Sequence, residues 1–295
     1  MNICEAGGVM PRHPDQSRQM ADAILLSDRG LIEITGADAT EFLHNLVTND
    51  IRSLRRGEAR FAALLTPQGK IISDFFVYRE QGAAGDRLLL DCPISLTAEL
   101  LRRFARYRLR SKVVFEEMSA AHEVVAYLDR APPEDCVVAA APDPRSPELG
   151  WRAIMSKGAA DARGDRAIYE ERRIVAGIPD GLVDFDYGGV FPHEANMDRL
   201  SGLDFKKGCY VGQEVVSRMQ HRTTVRKRVS RFTSRSAAPA QGSQVYIGGV
   251  DIGVTGSRAG ADGLALIRID RLSELLDAGH TAEAAGVALD FHPQS

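Results

Sequence analysis

The sequence predicts an α+β fold followed by a separate C-terminal β-barrel. Three observations carry this. Strand and helix patterns alternate through the first part of the chain without the regular rhythm of βαβ units. From Val229 onward the pattern changes to short apolar strands broken by turns: RVSRFTS, SQVYIGGVDIGVTGS and GLALIRI. Between these regions, Asp180 to Lys207 shows little periodicity and much Gly, Asp, Asn and Pro. A long irregular segment inside a compact protein is more often functional than idle. The expected division is a disordered leader over 1–22, a main region over 23–228 subdivided near 116–165, and a barrel over 229–292.

Order is expected to begin near Ile24. ILLSDRGLIEITG reads as two short strands around a turn at Asp28, Arg29 and Gly30. In ADATEFLHNLVTNDI, Asp38 is a helix cap, and Phe42, Leu43, Leu46 and Val47 recur at helical spacing. Asn49 and Asp50 should end that helix, because their side chains compete for backbone hydrogen bonds. ARFAALLTPQGKIISDFFVYRE reads as strand, turn and strand, with Pro67 and Gly69 suited to the turn. RLLLDCP, KVVFEEM, HEVVAYLD and WRAIMSK read as strands, and SLTAELLRRFARYRL as a helix. The proline-rich APPEDCVVAAAPDPRSPELG reads as a loop or subdomain joint. DRAIYEERRIVAGIP is a helix stopped by Gly177 and Pro179, and Gly248-Gly249 marks a hairpin in the barrel.

Composition excludes several functions. Lys and Arg number 37 against 40 Asp and Glu, so net charge gives no argument for nucleic acid or membrane. The chain has no apolar run of about 18 residues. The N-terminus shows neither a signal core nor an Arg/Ser-rich presequence, so a cytoplasmic protein is expected. The four cysteines, Cys4, Cys92, Cys136 and Cys209, form no CxxC pair. Neither a metal site nor a disulfide framework is expected from them.

The sharpest local signal is LDFKKGCYVGQEVVSRMQHR, Leu203 to Arg222. Gly208 and Gly212 bracket Cys209 and permit unusual backbone angles. QEVVSRMQHR has helical spacing, with Val215, Val216 and Met219 on one face and Glu214 four residues before Arg218. Cys209 then lies on a tight turn ahead of a helix N-terminus, with Lys206 and Lys207 preceding it. Both features favour thiolate over thiol. The alternative is a small residue that fills a gap under a glycine turn.

These residues resemble the signature of the YgfZ-like proteins of the glycine-cleavage T-protein superfamily. The matching positions are Lys207, Gly208, Cys209, Tyr210, Gly212, Gln213, Glu214, Arg218, His221 and Arg222. FLHNLVTNDI, TPQGKIISDFFVYR, YRLRSKV, RRIVAGIPDG and FPHEANMDRL resemble further segments of that family in the same order. The resemblance implies a ring of α+β subdomains around a central opening that binds tetrahydrofolate, with the barrel beside it. It also implies support of iron–sulfur cluster assembly in client enzymes, with Cys209 as the residue tied to that role. A monomer that meets folate and iron–sulfur client or assembly proteins is expected, without nucleic acid or membrane.

The pattern also departs from the aminomethyltransferase branch. That branch carries a pterin-anchoring Glu where Val175 stands, and an Asp-Asp pair where this chain has Ser73-Asp74. An aliphatic side chain cannot replace a hydrogen-bonding anion. Folate-dependent aminomethyl or one-carbon transfer is therefore the alternative reading, and an adaptor that docks partners through its basic joint is a third. The carboxylate for folate would come from Asp74 or Glu194. Asn49, Asp50, Arg110 and Asn196 complete the folate candidates, although Asn49 and Asp50 equally suit a helix end and Asp74 an outward strand position. Arg110 follows a basic helix that reads as a solvated face or an electropositive rim. The basic cluster from Arg218 to Arg235 reads as a docking surface or a grip on a polyglutamate tail.

Overall fold

The computed structural model describes residues 23–82, 85–222 and 225–292; the leader expected over 1–22, with Cys4, lies outside them. In chain order the strands and helices begin with β1 (Ala23–Leu25), β2 (Arg29–Thr35), α1 (Ala39–His44), β3 (Ala59–Leu65), β4 (Ile71–Gly82) and β5 (Gly85–Pro93). They continue with α2 (Thr97–Arg108), β6 (Val114–Glu117), β7 (His122–Tyr127), β8 (Val137–Pro142), β9 (Trp151–Ser156), α3 (Arg166–Val175) and α4 (Gln213–Arg222). The C-terminal part holds β10 (Lys227–Ser234), β11 (Gln244–Ile247), β12 (Val250–Ala259), β13 (Asp262–Arg268), α5 (Ile269–Asp277), β14 (Ala282–Ala284) and β15 (Val287–Phe291).

The strands form a five-stranded sheet of order β3-β4-β5-β2-β6, a four-stranded sheet of order β1-β7-β9-β8, and a closed barrel of order β10-β13-β12-β11-β14-β15. All the pairings are antiparallel. One face of the five-stranded sheet is covered by helices: Phe42 and Leu43 of α1 and Leu100 and Phe104 of α2 pack on Phe75 and Val77. Its other face meets the four-stranded sheet. That joint core holds Phe61, Phe76, Val124 and Ile154, and it also takes in Ile174 of α3, Val216 of α4 and Val229 and Leu266 of the barrel. With both faces covered, β4 is buried without a break from Ile71 to Tyr78. Asp74 is therefore 7% exposed, and the outward position open to it in the sequence does not exist.

Several expectations need correction. β1 and β2 follow one another but do not pair: β1 pairs with β7, while β2 pairs with β5 and β6. The turn between them passes the chain from one sheet to the other. The helix expected to run to Asn49 stops at His44, and Asp38 does not cap it. The Asp38 carboxylate instead accepts the Lys112 amide at 2.6 Å. The proline-rich stretch read as a loop contains β8, because its VVAAAP core is apolar enough to line a sheet edge. Helix α5 follows β13 without a side-chain cap at Arg268, so the sequence offered no start signal for it.

The two sheets are tied by a buried ionic cluster. Asp91 of β5 is 0% exposed. It accepts Arg29 Nε at 2.6 Å on one oxygen and Arg152 Nη2 and Nε at 2.6 and 3.0 Å on the other. Arg152 comes from β9, across the joint. Its Nη1 and the Nη2 of Arg145 both donate to Tyr169 Oη, at 3.0 and 2.9 Å, and Arg145 is paired with Asp143 at 2.8 Å. The Arg145 and Arg152 guanidinium groups lie 4.7 and 4.1 Å from the centre of the Phe76 ring. Burial works against the charge on Arg152, yet Asp91 carries that guanidinium well above its ordinary value.

Removing one member of a buried pair leaves the other uncompensated. Arg152→Met is expected to lower stability by about 3–5 kcal/mol. Urea unfolding should show an earlier midpoint at an unchanged slope.

Candidate functional site

The irregular segment after α3 crosses the joint core and ends at the cysteine loop. Its first half fastens to the start of β4: Ile71 N donates to Val190 O at 3.0 Å, and Gly188 N to Ile71 O at 2.7 Å. Its second half fastens to the turn after α1. Thr48 Oγ1 donates to Gly202 O at 2.7 Å, Asn49 Nδ2 to Ser201 O at 2.7 Å, and Asp204 N to Thr48 O at 3.0 Å.

Lys207 completes this attachment. Its side chain is buried, and its ammonium donates to the carbonyls of His44, Val47 and Asn49, the last two at 2.5 and 3.1 Å. These carbonyls are exposed where α1 ends early, so the short helix and the buried lysine explain one another. Burial pulls the Lys207 ammonium down to about 8. The lysine is thus spent on backbone, and α4 begins only at Gln213, beyond a turn over Val211-Gly212. The helix thus starts where the spacing predicted, four residues past Cys209, while of the two lysines before the thiol only Lys206 stays in solvent.

A second anchor holds the other side of the loop. Tyr210 is buried in the joint core. Gly212 has φ of 83°, and a Cβ there would lie 2.7 Å from Thr66 O. Val215 packs on Gly69 of the same Thr66–Lys70 turn. Only glycine fits both demands at 212. Gly208 has an ordinary backbone and open space around it, so it carries no such requirement.

Between the two anchors, Cys209 is exposed as a free thiol. Cys92 is the contrasting case, since burial pushes its thiol up to about 12. Glu214 and Arg218 pair along α4 at 2.9 Å in solvent, and Gln213 opens the helix half-buried. Arg222 closes α4, and its side chain lies outside the described residues.

The folate candidates are not gathered in one place. Asn49 lines a cleft of about 560 Å³ with Arg60, Arg199, Ser201, Asp204 and Lys206, close to the cysteine loop in sequence. Asp50 turns away to His44 at 3.0 Å. Asp74 lies in the joint core, where Tyr187 Oη donates to its Oδ1 at 2.9 Å. Its Oδ2 makes no hydrogen bond among the described residues. Burial pushes the Asp74 carboxyl up, against the opposing pull of Arg29 and the Tyr187 hydrogen bond. Glu194 accepts Phe191 N at 2.7 Å and lies 3.8 Å from Lys70. Asn196, at φ of 60°, donates to Val229 O at 2.9 Å and accepts from Arg228. Arg110 sits at a different surface hollow with Asp38, Leu109 and Ser111. The basic cluster is neutralised in part: Arg228 is buried against Asp198 at 2.7 Å and Arg231 pairs with Asp262 at 2.8 Å, while Arg226 and Arg235 are exposed and form no ion pair among the described residues.

Sequence reasoning passed over Thr48, Tyr187 and Arg29. Each acts through a partner far along the chain, which no local spacing reveals. Among the described residues no three His, Cys, Asp or Glu side chains form a group suited to a metal.

Comparison with known proteins agrees with this architecture. Residues 15–127 match the family described as the GCVT N-terminal domain, and residues 226–294 match the CAF17 C-terminal beta-barrel domain. The mouse (Mus musculus) protein named iron-sulfur cluster assembly factor IBA57, mitochondrial, is 31% identical, over 84% of this chain and 77% of its own length. This chain belongs to the IBA57 family. Homologues from Mycosarcoma maydis and Neurospora crassa, named in the same way, are each 31% identical. The chain spans 63% and 52% of those two proteins. The glycine cleavage system aminomethyltransferase T of Bartonella henselae has the same fold, with a TM-score of 0.70 at 17% identity over 94% of this chain and 86% of its own. The family corrects one expectation. Its members are named mitochondrial, which overturns the cytoplasmic reading.

Two tests follow. Lys207→Met leaves buried carbonyls without donors and should cost about 1–3 kcal/mol. Limited proteolysis should then cut the Cys209 loop faster than in the parent. Asp74 supplies a pH signature. The folded state holds its proton more tightly than the unfolded chain, so stability falls as pH rises from the ordinary value of 3.8 through the raised folded value. Asp74→Asn keeps an acceptor for Tyr187 and removes that loss. Its stability relative to the parent should climb over this window and stay level below it, as read from thermal unfolding across pH.

Proposed function

We propose that this chain serves iron–sulfur cluster assembly, as its relatives are named to do, and that it acts through the Cys209 thiol with tetrahydrofolate as cofactor. Within the wider superfamily this is the YgfZ-like reading. The observation that carries it is the contrast at the motif. Lys207, Tyr210 and Gly212 are committed to anchoring the loop, while the cysteine between them remains in solvent. A structural cysteine has no reason to be held out in this way; a thiol that meets a cluster or a client protein does. One thiol cannot hold a cluster alone, so the remaining ligands come from the partner.

Folate suits the residues present. The Asp74 carboxyl accepts Tyr187 Oη through Oδ1, which fixes its orientation and leaves Oδ2 as an acceptor for N–H donors. Tetrahydrofolate supplies ring nitrogens that carry one-carbon units. Asp74 would hold the donor edge of the ring, while Asn49, Glu194 and Asn196, already engaged with backbone, would act by fixing the segments around it. Aminomethyl transfer, the alternative, is supported less. Val175 stands half-exposed at the end of α3 and offers no anion. Residues 23–228 would then form the folate-binding region and 229–292 the barrel of a monomer.

Two measurements test this reading. In cells lacking the protein, Cys209→Ser should fold normally yet fail to restore the activity of iron–sulfur enzymes; full rescue refutes the thiol's role. Calorimetry should show tetrahydrofolate binding that Asp74→Asn weakens about tenfold or more. Absence of binding to the parent chain removes the folate half.

A further inference from the structure

A second surface, at the opposite end of α1 from the cysteine loop, carries an unusual combination of features. Helix α2 ends at Arg108, and the next residue, Leu109, is 89% exposed. Its backbone has φ of 44° and ψ of −106°, a conformation that leucine rarely adopts. The loop around it is fixed. Ser111 N donates to Arg108 O at 2.8 Å, Asp38 accepts Lys112 N at 2.6 Å, and Val113 is buried beneath. A strained backbone that presents a large aliphatic side chain to water, on a loop tied down at both ends, points to function rather than slack. Val114, 60% exposed, opens strand β6, which among the described residues pairs only with β2.

The charges along the chain around this apolar pair are predominantly basic. Arg106, Arg108, Arg110 and Lys112 are all exposed, and none forms an ion pair among the described residues. Arg102 and Arg103, one turn earlier, are by contrast neutralised by Glu99 at 2.8 Å. Elsewhere the chain carries a slight acidic excess, so this corner is a local exception. Leu109 and Arg110 line a hollow with Asp38 and Ser111, and Val114 lines a groove of about 900 Å³.

We infer that the corner from Arg106 to Val114 docks an acidic segment of a partner protein, with Leu109 and Val114 as apolar anchors. Uncompensated cations around a desolvatable apolar centre are the complement of a carboxylate-rimmed apolar patch. Single-stranded nucleic acid calls for aromatic stacking platforms, and the two anchors here are aliphatic. The Asp38, Glu116 and Glu117 carboxylates bound the basic stretch, which suits a short acidic segment better than the continuous negative face of an anionic membrane.

The test uses the full chain and a fluorescein-labelled peptide in which glutamates flank two leucines, read by anisotropy. Matched peptides carry serine for leucine or lysine for glutamate. The acidic apolar peptide should bind, more weakly at high salt, and the two controls should not. Leu109→Ser and the double variant Arg108→Glu, Arg110→Glu should each weaken binding by about tenfold or more. Both variants change exposed side chains, so circular dichroism should be unaltered. Leu109→Gly should raise the melting temperature, because it relieves the backbone, while weakening the peptide. No binding of the acidic peptide, or equal binding to parent and variants, overturns the inference. So does tighter, variant-sensitive binding to phosphatidylserine vesicles or to polyuridylate.

Discussion

The fold depends on one carboxylate, Asp91, held between arginines from two different sheets. Arg29 enters from β2 in its own sheet, and Arg152 from β9 across the joint. Apolar contacts would allow these two layers to slide or rotate at modest cost. Three directed charge-assisted hydrogen bonds on a fully buried carboxylate do not. Tyr169, held by Arg145 and Arg152, then fixes α3, and α3 leads into the irregular segment that carries the cysteine loop. The placement of the candidate site therefore traces back to the angle at which two sheets meet.

The motif around Cys209 divides its labour in an unexpected way. As a string, it looks like a reactive centre with basic neighbours. In three dimensions the lysine closes the end of another helix, the tyrosine fills the core, and the second glycine allows the chain to pass beneath a turn. What remains is a thiol held in place without being covered.

The sequence made much of the fold legible, because alternating strands, the Pro67–Gly69 turn and the Gly248-Gly249 hairpin are local signals. The closed barrel and the β3–β4 pairing follow from them. It did not make legible where β1 would go, because a three-residue strand chooses its partner by tertiary packing rather than by pattern. The candidate site divides in the same way. The start of α4 and the Glu214–Arg218 pair were readable from spacing, while the exposure of Cys209 stood open there against a gap-filling role. The roles of Lys207 and Asp74 were not. Each is set by elements more than a hundred residues away in sequence: the carbonyls beyond α1 for the one, Tyr187 for the other. Arg110 shows the opposite error, since a family segment placed it with folate while the fold puts it at a separate corner.

The split between β1 and β2 has a consequence for the integrity of the chain. Ala23, Ile24 and Leu25 cover the outer edge of β7. That edge belongs to a strand whose inward and outward residues are largely aliphatic or aromatic. A protease that trimmed only a few residues into this strand would leave the catalogue of larger elements intact. It would also uncover a ready template for strand addition by another molecule. Self-association, together with the loss of Ile24 from the joint core, is thus the failure to which the amino-terminal border of this architecture is exposed.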